Sequence, residues 1–131
     1  MSRYVETTLE GVHEEELLTA LAALQLTPTR AARAGARLML RGCLESAGRP
    51  VDLRFEEGTL DAAEDFGFLL APDGLVLVCG DVDRARLERS LLAPVRAHVV
   101  QRRVEDTEGV SLARTHTQAD GAVVVVVAQE D

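Results

Sequence analysis

Lysine, isoleucine and asparagine are absent from this 131-residue chain, and aromatic residues make up only 3% of it. Every one of the 14 basic side chains is therefore an arginine. The missing residues are those with AT-rich codons, which points to a GC-rich genome rather than to a functional demand for guanidinium. Without lysine no Walker-type phosphate loop can be built, because that loop sets a lysine on the terminal phosphates. With so few aromatics the core must rest on Leu, Val and Ala. Cysteine is scarce too. Cys43 and Cys79 sit in or beside strand-like runs, lack CxxC spacing, and read as buried structural thiols. No apolar run is long enough for a membrane-spanning helix; the longest, Gly121–Ala128, has the length of a strand. The N-terminus lacks the apolar stretch of a signal peptide, so a cytoplasmic location is expected.

Positive charge is in deficit. The net charge is −8, which argues against a nucleic-acid surface and against binding to an anionic membrane, since both need clustered cations. A local basic patch stays compatible with that total. The histidines, His13, His98 and His116, show no HExxH or HxH spacing, so no metal site is signalled. None of Ser2, Ser46, Ser90 and Ser111 lies in a GxSxG context. No catalytic residue, cofactor or metal is expected, and the chain reads as a non-enzyme.

What is present is a globular composition: 47% hydrophobic and 27% charged residues in a length suited to one domain, residues 1–131. An order of elements occurs twice. A strand-like run Tyr4–Leu9 leads through Gly11 into an acidic start and a Leu/Ala-rich helix, Glu14–Leu26, followed by strand-like runs Ala36–Leu44 and Val51–Phe55. Later, Leu75–Cys79 leads through Gly80 and Asp81 into a Leu-rich helix, followed by Val110–Thr117 and Ala122–Ala128. The expectation is an α+β fold: a mostly antiparallel sheet with helices on one face and two pseudo-repeated β-α-β-β units.

Local chemistry refines this. Glu14, Glu15 and Glu16 suit the positive end of a helix, and Leu17, Leu21 and Leu24 recur at helical spacing until Thr27 and Pro28. Residues Thr29–Gly35 read as a connection. Leu38 and Leu40 alternate with Arg37, Met39 and Arg41, and Val51, Leu53 and Phe55 alternate with Asp52, Arg54 and Glu56. These two runs predict a hairpin turning at Gly48-Arg49-Pro50, with one wet face. Phe66–Ala71 and Leu75–Cys79 flank Pro72-Asp73-Gly74, a second hairpin signal, and Asp120-Gly121 marks a third. Asp81 or Asp83 is placed to cap the following helix, with Leu87, Leu91 and Leu92 on its apolar face. Pro94 suits the start of a second helical piece carrying Val95, Val99 and Val104 and ending at Gly109. Leu21, Leu38, Leu53, Phe68, Val76, Leu91 and Val125 are the expected core.

Two charge clusters are the functional candidates. The stretch Glu56–Asp65 concentrates carboxylates, and Glu57, Asp61, Glu64 and Asp65 form the candidate partner-binding set. It serves either as a solvated loop or as a dock for an arginine-rich partner or a hard cation, though its spacing is not that of an EF-hand. Arg30, Arg33, Arg37 and Arg41 form the second cluster, either receiving an acidic partner or phosphate or pairing across strands with Asp52 and Glu56.

Several short segments resemble one family. They are the strand with Thr7-Thr8, then Glu14-Glu15-Glu16-Leu17-Leu18 and Ala20-Leu21; Asp65-Phe66-Gly67-Phe68, then Asp73-Gly74 and a strand ending at Asp81; and Gly109-Val110 with Asp120-Gly121 before a Val-rich last strand. Together they are similar to the hypothetical plastid open reading frame thirty-five family, also called domain of unknown function twelve fifty-seven. Members occur in plastids, cyanobacteria and many other bacteria. The resemblance implies no catalytic residue. It implies partnership with an AAA-type ATPase or a ferredoxin-like protein. The leading expectation is a protein-binding adaptor with the acidic loop or a sheet edge as its contact. The alternative is a small-ligand sensor with its site between the two halves.

Overall fold

A computed structural model describes residues 3–31, 36–42, 49–71, 74–107, 110–117 and 123–129. Strand β1 (Tyr4–Leu9) runs into helix α1 (Glu14–Ala23), followed by short strands β2 (Thr29–Arg30), β3 (Leu38–Leu40), β4 (Arg49–Val51) and β5 (Leu53–Phe55). A 3₁₀ turn, Thr59–Asp61, precedes the long hairpin of β6 (Phe66–Ala71) and β7 (Gly74–Gly80). Helix α2 (Arg84–Leu87) continues through a π-helical turn, Glu88–Leu92, into α3 (Ala93–Glu105), and β8 (Val110–Thr117) and β9 (Val123–Gln129) follow. The fold is α+β with a five-stranded sheet in the order β1-β7-β6-β5-β2, every neighbouring pair antiparallel.

The two faces of this sheet bury different clusters. Leu9, Leu53, Phe55, Phe66, Phe68, Leu75, Leu77 and Cys79 pack with Leu17, Ala20 and Leu21 of α1 and with Leu87, Leu91, Leu92, Val95 and Val99 of the second helical segment. Alternate residues of β1 and β7 point the other way, and Tyr4 and Val78 meet Leu40 and Val51 of the β3–β4 pair. Each fully buried Leu or Phe contributes about 1.5–3 kcal/mol, so the larger cluster dominates stability. All three phenylalanines are in it. Phe55 stacks on Phe66 with centroids 5.0 Å apart and meets Phe68 edge-on at 6.4 Å.

Of the expected core, Leu21, Leu53, Phe68 and Leu91 share the large cluster, whereas Leu38 and Val76 are half-buried against the small one. The side chain of Val125 lies outside the described residues, as do Cys43, Ser46, Arg33, Gly48, Gly109, the Pro72-Asp73 turn, Asp120-Gly121 and the His116 side chain.

Several expectations need correction. Val51–Phe55 is not one strand. The chain bends at Asp52: Val51 pairs with Leu38 of β3, and Leu53 pairs with Phe68 of β6. The Asp52 carboxylate causes the switch by accepting the Leu70 N–H at 2.7 Å, taking a place in the β6 ladder. Because of the bend, Val51 and Leu53 enter different clusters despite their even spacing. The Thr29–Gly35 connection contains a strand, since Thr29 and Arg30 pair with Arg54 and Leu53. Helix α1 ends at Ala23, before Thr27 and Pro28. Gln25 takes a left-handed φ of 61°, and Leu26 N–H reaches Leu21 O at 2.9 Å while Gln25 N–H reaches Ala22 O at 3.0 Å. That pair of bonds is a Schellman closure with glutamine where glycine is usual.

The two expected β-α-β-β units do not appear as equivalents. Strands β1 and β7, the first of each expected unit, lie side by side in the main sheet, but the later strands differ: β3 and β5 fall in separate sheets, whereas β8 and β9 pair with each other alone among the described residues and lie against α3. The second helical segment widens into its π turn just before Pro94, and the Ala93 N–H reaches the Glu88 carbonyl five residues back. Pro94 has no N–H to give the Ser90 carbonyl, and its ring crowds that group, so the wider turn relieves the contact.

Candidate functional site

The acidic stretch begins where β5 ends. Glu56 and Glu57 are exposed, and Gly58 turns the chain with a φ of 88°. Leu60 and Asp61 then adopt left-handed φ values of 53° and 62°, unusual for residues with a Cβ. The loop holds this shape because its backbone is tied from several sides. Gly58 N–H bonds to Ala62 O at 2.8 Å, and the Arg86 guanidinium donates to the Asp61 carbonyl.

Two buried carboxylates secure the far end. Asp81 or Asp83 is the expected cap of the following helix, but the Asp83 side chain makes no cap bond. It accepts instead the backbone N–H groups of Ala63 at 2.8 Å and Glu64 at 3.1 Å. Asp65, 6% exposed, accepts the phenolic O–H of Tyr4, the Gly42 N–H at 2.9 Å and the Arg41 N–H at 3.0 Å. The Tyr4 oxygen in turn accepts a bond from the Gly42 N–H at 2.7 Å. Glycine at position 42 permits this approach. A Cβ there would run into the Glu64 carboxylate and sit 2.9 Å from Asp65 Oδ1. A buried carboxylate is tolerated only when such donors surround it.

The structure thus divides the four candidate residues. Glu57 and Asp65 line one shallow depression of about 230 Å³, together with Glu56, Arg41 and Gly42. Asp61 is exposed, on the side where Arg86 holds its backbone. Glu64 is half-buried between Gly42 and Gly80. Asp65 faces inward and serves the fold, so the exposed charge of the loop comes from Glu56, Glu57 and Asp61, with Glu64 half-buried. Among the described residues no group of His, Cys, Asp and Glu is arranged to hold a metal ion.

The arginine cluster is used mainly in pairs. Arg37 pairs with Asp52 at 3.4 Å and Arg30 with Glu14 at 3.5 Å, while Arg41 lines the acidic depression. Cross-strand pairing with Asp52 is as expected. Glu56 is met by Arg54 of β5, two residues before it, at 3.3 Å.

A second polar region joins α1 to α3. The Arg103 guanidinium grips Glu16 through two bonds of 2.8 and 2.7 Å and donates a third to Gly11 O at 2.6 Å. The Arg103 hydrogen bond holds the Glu16 carboxyl well below its usual value, at about 2. Next to this pair, Glu15 and Thr19 of α1 face His98, Val99 and Arg102 of α3, and Asp106 just past its end, across a cleft of about 190 Å³. Sequence reasoning missed the cleft. Its residues lie some eighty positions apart, and only the helix crossing brings them together.

Compared with known proteins, the chain matches no protein-family model, no curated protein and no solved structure. Among the described residues no helix is long and apolar enough to cross a membrane.

Proposed function

We propose that this protein is a non-enzymatic adaptor that docks a basic segment of a partner protein along the acidic loop that carries Glu57, Asp61 and Glu64. One observation carries the reading: the loop bearing these carboxylates is tied at its backbone by Asp83, Arg86 and Asp65, while its charges remain at or near the surface. A loop ordered in advance gives up little conformational freedom on binding. The net charge of −8 adds a long-range field that draws in a cationic partner. Membership of the plastid open reading frame thirty-five family is part of this proposal and names the partner class, an AAA-type ATPase or a ferredoxin-like protein. The setting is the cytoplasm of a bacterium.

The test is charge reversal with the fold preserved. Glu57, Asp61 and Glu64 are replaced together by Arg, Asp65 is retained, and the tagged full chain is used to capture partners from the native host. Loss of a specific partner, with an unchanged melting temperature, supports the reading. Weaker capture with added salt also supports it, because exposed charges are screened over roughly 8–10 Å. Capture that survives both reversal and high salt overturns it.

A further inference from the structure

Resting on the docking reading, we propose that the turn of residues 59–62 is a two-state element latched by Arg86, and that this latch sets the fraction of the chain able to dock a partner. The turn is closed by the Ala62 N–H bonding to Thr59 O at 3.0 Å. Its two central residues, Leu60 and Asp61, are both left-handed, with φ values of 53° and 62°. That is the handedness of a type I′ turn, whose usual occupants are Asn, Asp and Gly. Leucine is a poor occupant, because in left-handed backbone its Cβ crowds the following carbonyl oxygen. A residue persists in such a conformation only where its surroundings over-determine it, and places of this kind recur at ligand clamps and switches.

Two ties hold the turn from outside. Arg86 of α2 donates from its guanidinium to the Asp61 carbonyl, and the half-buried Leu60 side chain packs against the larger apolar cluster. Neither tie is strong. Arg86 is exposed and its acceptor is a neutral carbonyl, so the bond competes with water. The backbone strain and the two ties are of the same order, which is the condition for two populated shapes. The amides of Ala63 and Glu64 are fixed separately by Asp83, so the change is confined to the turn. Relaxing Leu60 and Asp61 to ordinary backbone carries the Asp61 carbonyl away from Arg86 and re-aims the Asp61 carboxylate, one of the three docking charges. The charge of Arg86 separates this role from simple electrostatics. It is a cation beside an acidic dock, so on charge alone its removal strengthens capture of a basic partner. As a latch, its removal weakens capture.

The experiment compares the full chain with Arg86→Gln, and with Arg86→Gln combined with Leu60→Asn, by NMR in the absence of any partner. Backbone couplings and Cα shifts of Leu60 and Asp61 read the handedness of the turn, and hydrogen exchange at the Ala62 amide reads its closure. Arg86→Gln is expected to move both residues away from left-handed values and to lower Ala62 protection by about tenfold relative to the amides of β7. Adding Leu60→Asn is expected to restore the left-handed turn, because asparagine tolerates that region. In partner capture, Arg86→Gln is expected to weaken binding by about tenfold despite the gain in negative charge. Unchanged handedness and protection in Arg86→Gln would overturn the proposal, as would capture that strengthens once the turn has relaxed. The NMR readout needs no partner, so a turn that relaxes in a chain that captures nothing sinks the docking reading and leaves the latch standing.

Discussion

Tyr4 and Asp65 lie 61 residues apart and meet through a buried side-chain hydrogen bond, the phenol donating to Oδ1. That contact ties strand β1 to the end of the acidic loop, and the Gly42 N–H closes the group by donating to both side chains. A carboxylate in a stretch that reads as solvated is thereby part of the fold.

Replacing Asp65 by Ala should lower stability by about 2–4 kcal/mol, because two backbone N–H groups and a phenol lose a charged acceptor in a buried setting. Tyr4→Phe should remove about 1.5–3 kcal/mol, because the phenol donates to a buried carboxylate and also accepts the Gly42 N–H. The double variant should be less destabilised than the sum, since both side chains serve one network. Chemical denaturation of the four proteins checks this. Asp65→Ala with wild-type stability would place the carboxylate outside the fold's support.

Asp83→Ala should release the loop locally before it unfolds the chain. Its carboxylate is the acceptor for the Ala63 and Glu64 N–H groups. Hydrogen exchange at those two amides should quicken well beyond the change at β7, with an overall loss of about 1.5–3 kcal/mol. Uniform acceleration across the sheet would mean that Asp83 supports the whole core equally.

Gly67 sits where β5 crosses close to β6. A Cβ there would run into the Leu53 carbonyl oxygen and lie 3.0 Å from Val51 Cγ2. Gly67→Ala should therefore cost about 3 kcal/mol, at the upper end for overpacking, because backbone rather than a flexible side chain must move. Gly74→Ala is the control: its nearest neighbour would be Thr8 Cγ2 at 3.9 Å, and thermal melting should be close to wild type.

The Glu16–Arg103 pair predicts a pH window. The Glu16 carboxyl titrates at about 2 in the folded chain against an ordinary value of 4.5. A depressed folded value means that the pair's stabilisation is fully present above pH 4.5 and is lost as pH falls toward 2. Arg103→Gln should bring the Glu16 titration back toward 4.5, read by NMR of its carboxyl carbon. The stability gap between the two proteins should be small, since Arg103 is half-exposed, and should close in acid. A gap that persists at low pH would assign the stabilisation to the bond with Gly11 O instead.

Much of the fold is legible in the residues because local patterns carry it. Alternating apolar positions mark β7, where Leu75, Leu77 and Cys79 face one cluster and Val76 and Val78 the other. Glu14–Glu16 and the Leu spacing mark α1, and Pro94 marks the start of α3. Other features are illegible because the deciding partner is remote. Gln25 closes α1 in a left-handed turn without the glycine that would announce it. Asp52 breaks a strand by bonding Leu70 N–H, eighteen residues away.

The candidate site divides along the same line. Composition alone determined that the chain is acidic, lacks lysine, and gathers carboxylates between residues 56 and 65. Only the tertiary structure decided which of them point outward. A carboxylate's role depends on whether N–H and O–H donors surround it. Those surrounding Asp65 come from β1 and from the chain after β3, and Asp83 itself comes from the segment after β7. No reading of ten consecutive residues contains that information, because hydrogen-bond satisfaction is a property of a place in space and not of a segment.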